Sequence, residues 1–197
     1  MLMFFMDTRM KKRDASRTTG TEKLLIFGPT RSRRGAELKI MSCVETKAPG
    51  HFTKGVSEKR CDKRGFGTER FYLRDDDLAY ALGREGATRI KLATASHAIL
   101  QYVGNLVFIA GTGRERSRCY EYLRWLLDQR QRTVVIEDTA NRDDVMEVHV
   151  PRNCVGFVTR DRGEALRYVE KETGTFCFLA ADGSGEERLL IFGHEPG

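Results

Sequence analysis

Short apolar runs that end in glycine alternate along this chain with polar segments of helical spacing. Residues 23–28 read KLLIFG, residues 188–193 read RLLIFG, and residues 106–111 (LVFIAG) have the same form. Short apolar runs bounded by glycine are typical of buried strands, whereas arginine-rich segments with helical spacing follow the copies that end at Gly28 and Gly111. The pattern therefore predicts an α+β protein built from repeated units.

The middle of the chain predicts one complete unit. Its elements, in chain order, are a strand at 71–74, a helix at 78–82 after three capping aspartates, a polar loop at 83–86, a second helix at 87–96, strands at 99–103 and 105–110, and a third helix at 114–129 with Cys119, Leu123, Leu126 and Leu127 on one face. Residues 74–101 align without a gap to residues 151–178 at an offset of 77. A second copy of the unit is therefore expected near the C-terminus.

The repeat also assigns the N-terminus. Residues 2–6 correspond to the strand expected at 176–180, so we interpret them as a strand rather than a targeting signal, with 7–22 as a long loop. The predicted organisation is the end of one unit at 1–47, a flexible, basic, glycine-rich linker at 48–69, a complete domain at 70–131, and a domain lacking its last helix at 145–197. We expect the third helix of the first piece, at 33–46, to dock on the last unit, which lacks one.

The order of these elements and the residues around the loops resemble the KH (K-homology) domain family of the eukaryotic type. The last unit carries Val150-Pro151, Gly156, Gly163, the apolar Leu166 and Val169, and Thr173-Gly174, all at family spacing. The middle unit carries an intact Gly-x-x-Gly loop, Gly83-Arg84-Glu85-Gly86, followed by Leu92. The resemblance implies repeated β-α-α-β-β-α units, each with a three-stranded antiparallel sheet and helices packed on one face.

The resemblance also implies a function. In this family the Gly-x-x-Gly loop clamps the backbone of about four single-stranded nucleotides, and an apolar groove reads the bases. Carried over to this chain, the RNA-binding residues are the loop residues Gly83, Arg84, Glu85 and Gly86, the groove residues Leu78, Leu82, Thr88, Ile90, Ile99, Leu100 and Gln101, and, in the last unit, Arg160, Asp161, Arg162 and Gly163.

Two readings of the repeated units stay open. In the first, the chain binds single-stranded RNA or, less favoured, single-stranded DNA, and in the last unit the arginine side chains replace the missing first glycine as phosphate ligands. In the second, the units are degenerate KH domains that form a scaffold for other proteins. Both imply an intracellular protein, cytoplasmic or nuclear, with no catalytic activity, no cofactor and no membrane partner.

Charge and composition narrow the picture. The net charge of +6 comes entirely from residues 1–70, where 17 Lys and Arg face 8 Asp and Glu. Five dispersed cysteines and four unclustered histidines form no metal-binding or catalytic spacing. Gly111-Thr112-Gly113 lacks the third glycine of a dinucleotide site and is interpreted as a strand-to-helix turn.

The third helices carry a further signal. Arginines crowd the first turns of both, at Arg31, Arg33 and Arg34 in one and at Arg114, Arg116 and Arg118 in the other. Cations are unfavourable at a helix N-terminus, so an anionic partner is expected there. Tyr120, Tyr122 and Trp125 are expected to pack in the core or between units.

Overall fold

A computed structural model describes residues 2–6, 23–182 and 187–194. The expected loop at 7–22 lies outside the described residues. The elements, in chain order, are β1 (Leu2–Met6), β2 (Lys23–Phe27), α1 (Thr30–Lys47), β3 (Gly67–Tyr72), α2 (Asp75–Leu82), α3 (Ala87–Ser96), β4 (Ile99–Val103), β5 (Leu106–Gly111), α4 (Gly113–Asp128), β6 (Val145–Val148), α5 (Arg152–Thr173), β7 (Phe176–Ala181) and β8 (Glu187–Phe192). A single 3-10 turn, Arg84–Gly86, separates α2 from α3.

The α+β class is confirmed. In the described part of the chain the strands form an antiparallel ribbon, β1-β2, and two three-stranded antiparallel sheets with the orders β3-β5-β4 and β6-β8-β7. The first strand of the middle sheet lies earlier than expected, because residues 73 and 74 lead into α2. Helix α2 begins at Asp75 rather than at residue 78, because the three aspartates in its first turn are favourable at a helix N-terminus.

The middle sheet, β3-β5-β4, has helices on both faces rather than on one. All six residues of its central strand β5 are buried. Leu106 and Phe108 pack on the side of Leu38 in α1, whereas Val107 and Ile109 join the cluster formed with α2, α3 and α4. A continuous apolar strand is typical of a sheet covered on both sides, and the LVFIA run meets that condition.

This packing also corrects the expected position of the N-terminal helix. The prediction that α1 docks on the last unit is wrong, because α1 packs along β4 and contacts β5 of the middle sheet. The reason is local. Ile99 and Val103 point away from α2–α4, and without α1 they would expose an apolar face to water.

Helix α4 lies between the two three-stranded sheets. It contacts β5 and β3 of its own sheet, and its aromatic residues contact the sheet β6-β8-β7. Tyr122 lies 5.6 Å from Phe176 and 5.1 Å from Phe192 between ring centroids, and Trp125 lies 5.1 Å from Phe192. Tyr122, Phe176 and Phe192 are at most 1% exposed. Tyr122 therefore packs in the core and Tyr120 and Trp125 pack against it, which confirms the prediction of core packing.

The segment 48–69 is anchored to the middle sheet, in contrast to the flexible linker that its composition predicts. Arg116 of α4 is 2% exposed. Its guanidinium donates to the carbonyls of Cys61, Lys63 and Gly65 at 2.7, 2.7 and 3.2 Å and to the Glu69 carboxylate at 2.9 Å. One buried cation therefore fixes the path of the chain into β3.

The C-terminal helix departs from the expected helix, loop and helix. The structure has one helix, α5, over Arg152–Thr173, which Gly163 interrupts with a φ of +75°. Arg160 stands where the middle unit has Gly83, so the chain lacks the first left-handed residue and continues as a helix. Gly86 (φ +78°) and Gly163 are 77 residues apart, as are His97 (φ +60°) and Gly174 (φ +68°).

Candidate nucleic-acid interface

The loop between α2 and α3 is built from left-handed backbone. Gly83, Glu85 and Gly86 have φ values of +71°, +54° and +78°, in the region that favours glycine. A Cβ at Gly83 would collide with the Thr88 hydroxyl and lie 2.8 Å from the Thr88 backbone nitrogen. Gly83 is therefore required by both its dihedral angles and the space it occupies, whereas Glu85 adopts a conformation that is costly for its side chain.

The loop presents its charged side chains to solvent. Arg84 and Glu85 are both exposed, while Gly86 is buried and its N–H donates to the Gly83 carbonyl at 3.1 Å. The cation and the carboxylate are neighbours on the same turn. An anion approaching the loop therefore meets one favourable and one unfavourable charge.

Apolar side chains surround the loop. Tyr80 and Leu82 on α2 and Ile90 on α3 are 41%, 38% and 52% exposed. Arg130 lies 5.1 Å from the Tyr80 ring and pairs with Asp77 at 2.6 Å. Of the predicted groove residues, Leu82 and Ile90 thus lie on the surface beside the loop, and Thr88 is half-buried against Gly83.

The other predicted groove residues lie away from that surface. Leu78 packs against the core, and Leu100 is 1% exposed within it. Ile99 and Gln101 lie on the face of β4 turned towards α1, where Ile99 packs in the cluster around Leu38. The strand residues are separated from the loop because alternation along β4 sends side chains either into the core or towards α1.

In the last unit the predicted phosphate ligands lie within a helix. Arg160 is exposed and lies 5.3 Å from the ring of Phe157. Gly163 is half-buried, with open space where a side chain would stand. Asp161 and Arg162 have backbone positions within α5, and nothing is described of their side chains. A Gly-x-x-Gly type of loop does not form at these four positions.

A groove that the sequence reasoning missed runs from the loop along α3 towards α5. A cavity of about 410 Å³ lies between α3 and α5 and is lined by Ala87, Thr88, Ile90, Lys91, Thr94, Arg167, Glu170, Lys171 and Gly174. A second cavity of about 370 Å³ shares Thr88, Lys91, Arg167 and Glu170 with the first and reaches Gly163 and β7. We call the two together the α3/α5 groove. Arg167 and Lys171 are four positions apart on one helix face, and that spacing was a signal in the sequence.

Five of the six arginines in the first turns of α1 and α4 pair with carboxylates of the chain, and Arg33 donates to the Thr30 hydroxyl. Arg31 pairs with Glu115 at 3.0 Å, Arg116 with Glu69 at 2.9 Å, and Arg118 with Asp143 at 2.8 Å. The Gly111–Gly113 segment is a helix cap in which the Thr112 hydroxyl accepts from the Glu115 N–H and Glu115 accepts from the Thr112 N–H. Arginines near a helix N-terminus are unfavourable, and carboxylates and carbonyls of the protein offset that cost without an external anion.

Several buried groups titrate away from their ordinary values. Burial opposes ionisation of Asp144, but hydrogen bonds from Arg142 and Tyr122 outweigh that cost and hold the Asp144 pKa below its ordinary value of 3.8. Burial raises the pKa of the Cys119 thiol to about 12, so this cysteine is protonated and unreactive at neutral pH. Among the described residues no group of three His, Cys, Asp or Glu is placed to hold a metal ion.

Comparisons with known proteins identify no family for this chain. No protein-family model matches the sequence, and no curated protein matches it. Among solved structures, a chain of the a/eIF2alpha-aDim2p-rRNA complex from Pyrococcus horikoshii OT3 is similar at 10% identity and a TM-score of 0.30 over 66% of this chain and 77% of that one. A TM-score of 0.30 does not establish a common fold. Within the described residues no helix has both the length and the apolar character needed to cross a membrane.

Proposed function

We propose that this protein binds single-stranded RNA through the loop Gly83–Gly86 of a KH-like middle unit, within a tandem arrangement of such units. The observation that carries the proposal is the loop itself, a glycine-bounded, left-handed turn between two short helices. Glycines at both ends let a phosphate approach the backbone N–H groups and the start of α3.

The surface around the loop supports a nucleic-acid ligand. The exposed Arg84 supplies a cation for a phosphate, and the exposed Leu82 and Ile90 supply apolar surface for the faces of bases. Because Glu85 opposes an anion at the same turn, we expect moderate affinity that rises when this carboxylate is removed.

The tandem arrangement is proposed from the correspondence between two segments. Strand and helix order agree between residues 67–111 and 145–192, apart from the fused α5. Left-handed residues recur at an offset of 77, in Gly86 and Gly163 and in His97 and Gly174. In each case a third helix packs on the sheet of the following unit, α1 on β4 and α4 against Phe176 and Phe192.

A protein scaffold is the second candidate, and the surface of α5 favours it. Phe157, Tyr168 and Val169 on this helix are 68%, 66% and 40% exposed. Apolar side chains that remain exposed along one helix suit contact with another protein. The scaffold reading predicts no affinity for RNA in the native protein.

The test is to measure binding of a random single-stranded RNA of about 12 nucleotides, long enough to span the roughly four that a KH loop holds, by fluorescence anisotropy. The variant Arg84→Asp/Glu85→Asp reverses the cation at the loop and keeps a residue that tolerates left-handed backbone at 85. We expect a loss of affinity of about tenfold or more, as a lost charge-assisted phosphate contact produces.

The matched control is Lys39→Asp, which makes the same change of net charge on an exposed position of α1. It should leave the RNA affinity within about twofold of the native value, because bulk charge contributes weakly at moderate salt. Equal losses in both variants would mean that the loop has no special part in binding. Absence of RNA binding in the native protein would instead support the scaffold.

A further inference from the structure

The α3/α5 groove begins where the loop ends. Ala87 and Thr88, the first residues after Gly86, line it, and its far end lies at Gly174. The first cavity, of about 410 Å³, is lined from Ala87 and Thr88 to Lys171 and Gly174, and the second, of about 370 Å³, shares Thr88, Lys91 and Arg167 with it. A chain-like ligand held at the loop that follows the first cavity along α3 therefore comes to Arg167 and Lys171.

The charges of the groove suit a polyanion. Its cations are Lys91, Arg167 and Lys171, and Glu170 is its carboxylate. Glu170 is 6% exposed and already bound, with Lys91 Nζ at 2.9 Å and the Cys177 N–H donating at 2.9 Å. The buried carboxylate is thus neutralised within the protein, and Arg167 and Lys171, both exposed, also line the cavity.

The apolar lining of the groove favours a nucleic acid over an acidic peptide. Ile90, which is 52% exposed, lines the first cavity together with Ala87, Thr94 and Gly174. The faces of unpaired bases are flat and apolar, and their backbone carries one charge per nucleotide. The apolar lining of the groove suits the faces of the bases, and its cations suit the phosphates.

We propose that a single RNA strand bound at the loop continues along the α3/α5 groove, where Arg167 and Lys171 contact its phosphates. This inference rests on the proposed function, and it extends the site from the loop of one unit to the helix of the next. RNA length therefore determines affinity, because only a strand longer than the loop can hold reaches Arg167 and Lys171.

The experiment compares a tetranucleotide with an RNA of about 12 nucleotides, one that fits the loop alone and one that fits loop and groove. The variant is Arg167→Ala/Lys171→Ala. We expect about tenfold weaker binding of the longer RNA and unchanged binding of the tetranucleotide. The slope of log K against log salt for the longer RNA should fall by about 1.4, or roughly 0.7 for each phosphate contact removed.

Two controls separate the groove from general effects. Lys39→Ala/Lys47→Ala removes the same charge from exposed positions of α1 and should bind the longer RNA as the native protein does. Arg167→Lys/Lys171→Arg keeps the charge in the groove and should recover most of the affinity that the alanine variant loses. Unchanged binding of the longer RNA by Arg167→Ala/Lys171→Ala overturns the groove while the loop function stands. If Arg84→Asp/Glu85→Asp weakens binding of both RNAs and Arg167→Ala/Lys171→Ala weakens binding of the longer RNA only, the result supports both the loop function and the groove.

Discussion

Replacement of Phe192 by alanine tests whether the last sheet and α4 fold as one body. The Phe192 ring is fully buried and lies 5.1 Å from both Tyr122 and Trp125 of α4. A buried Phe→Ala substitution costs about 3–5 kcal/mol, through lost transfer free energy and the cavity left behind. The aromatic neighbours place this site in the upper part of that range. A loss of about 4 kcal/mol corresponds to a fall in Tm of about 8–16 °C for a chain of this size.

The assay follows urea unfolding by far-UV circular dichroism and by the fluorescence of Trp125, the single tryptophan. Because Trp125 on α4 contacts Phe192 on β8, its emission reports on the contact between α4 and the sheet β6-β8-β7. We expect coincident transitions for both probes and a red shift in the native emission of Phe192→Ala. The control Phe157→Ala, at a ring 68% exposed on α5, should change the free energy of unfolding by less than about 0.5 kcal/mol. A loss below about 1 kcal/mol at Phe192, or two separate transitions in the native protein, would refute the single cooperative body.

Three further substitutions test other parts of the structure. Arg116→Met should lower the free energy of unfolding by about 3–5 kcal/mol, since it leaves Glu69 and several carbonyls without their buried cation. The control Arg114→Met, at a side chain that is 85% exposed, should have almost no effect in the same denaturation assay. Glu85→Gly should raise the free energy of unfolding by about 1 kcal/mol by relieving the left-handed cost and should also tighten RNA binding; a less stable variant would contradict the loop conformation. Asp144 has a lowered pKa in the folded state, so its ionised form stabilises the protein above about pH 4 and this stability is lost as the pH falls through the folded pKa. Urea titrations from about pH 5 to 2.5 should therefore show a shallower loss of stability for Asp144→Asn than for the native chain.

Local patterns in the sequence predicted most of the elements. Strand β4 and helix α3 have the predicted bounds, because glycine or a left-handed residue ends each neighbouring run. His97, which separates α3 from β4, has a left-handed backbone conformation with a φ of +60°. These features depend on short-range chemistry that a single sequence displays.

Long-range packing could not be predicted in the same way. The run from Leu106 to Ala110 indicated a buried strand, but helices were expected on one face of its sheet, and nothing in the run identified α1 as the cover of the other face. The predicted groove included Ile99 and Gln101, and their separation from the loop follows from the position of α1. The internal partners of Arg116 and Arg118 were likewise hidden, because Glu69, Asp143 and the carbonyls at 61–65 are distant in sequence.

The shared helix α4 has a consequence for how the chain behaves when it is cut. We expect its aromatic side chains and the rings of Phe176 and Phe192 to hold the two sheets together even when the connection at 129–144 is cut. A protease that cleaves at the exposed Arg132 would nick the chain and leave both pieces bound to one another. Separated pieces, by contrast, would each carry an uncovered aromatic surface, one on α4 and one on the sheet, and would re-associate with each other or aggregate.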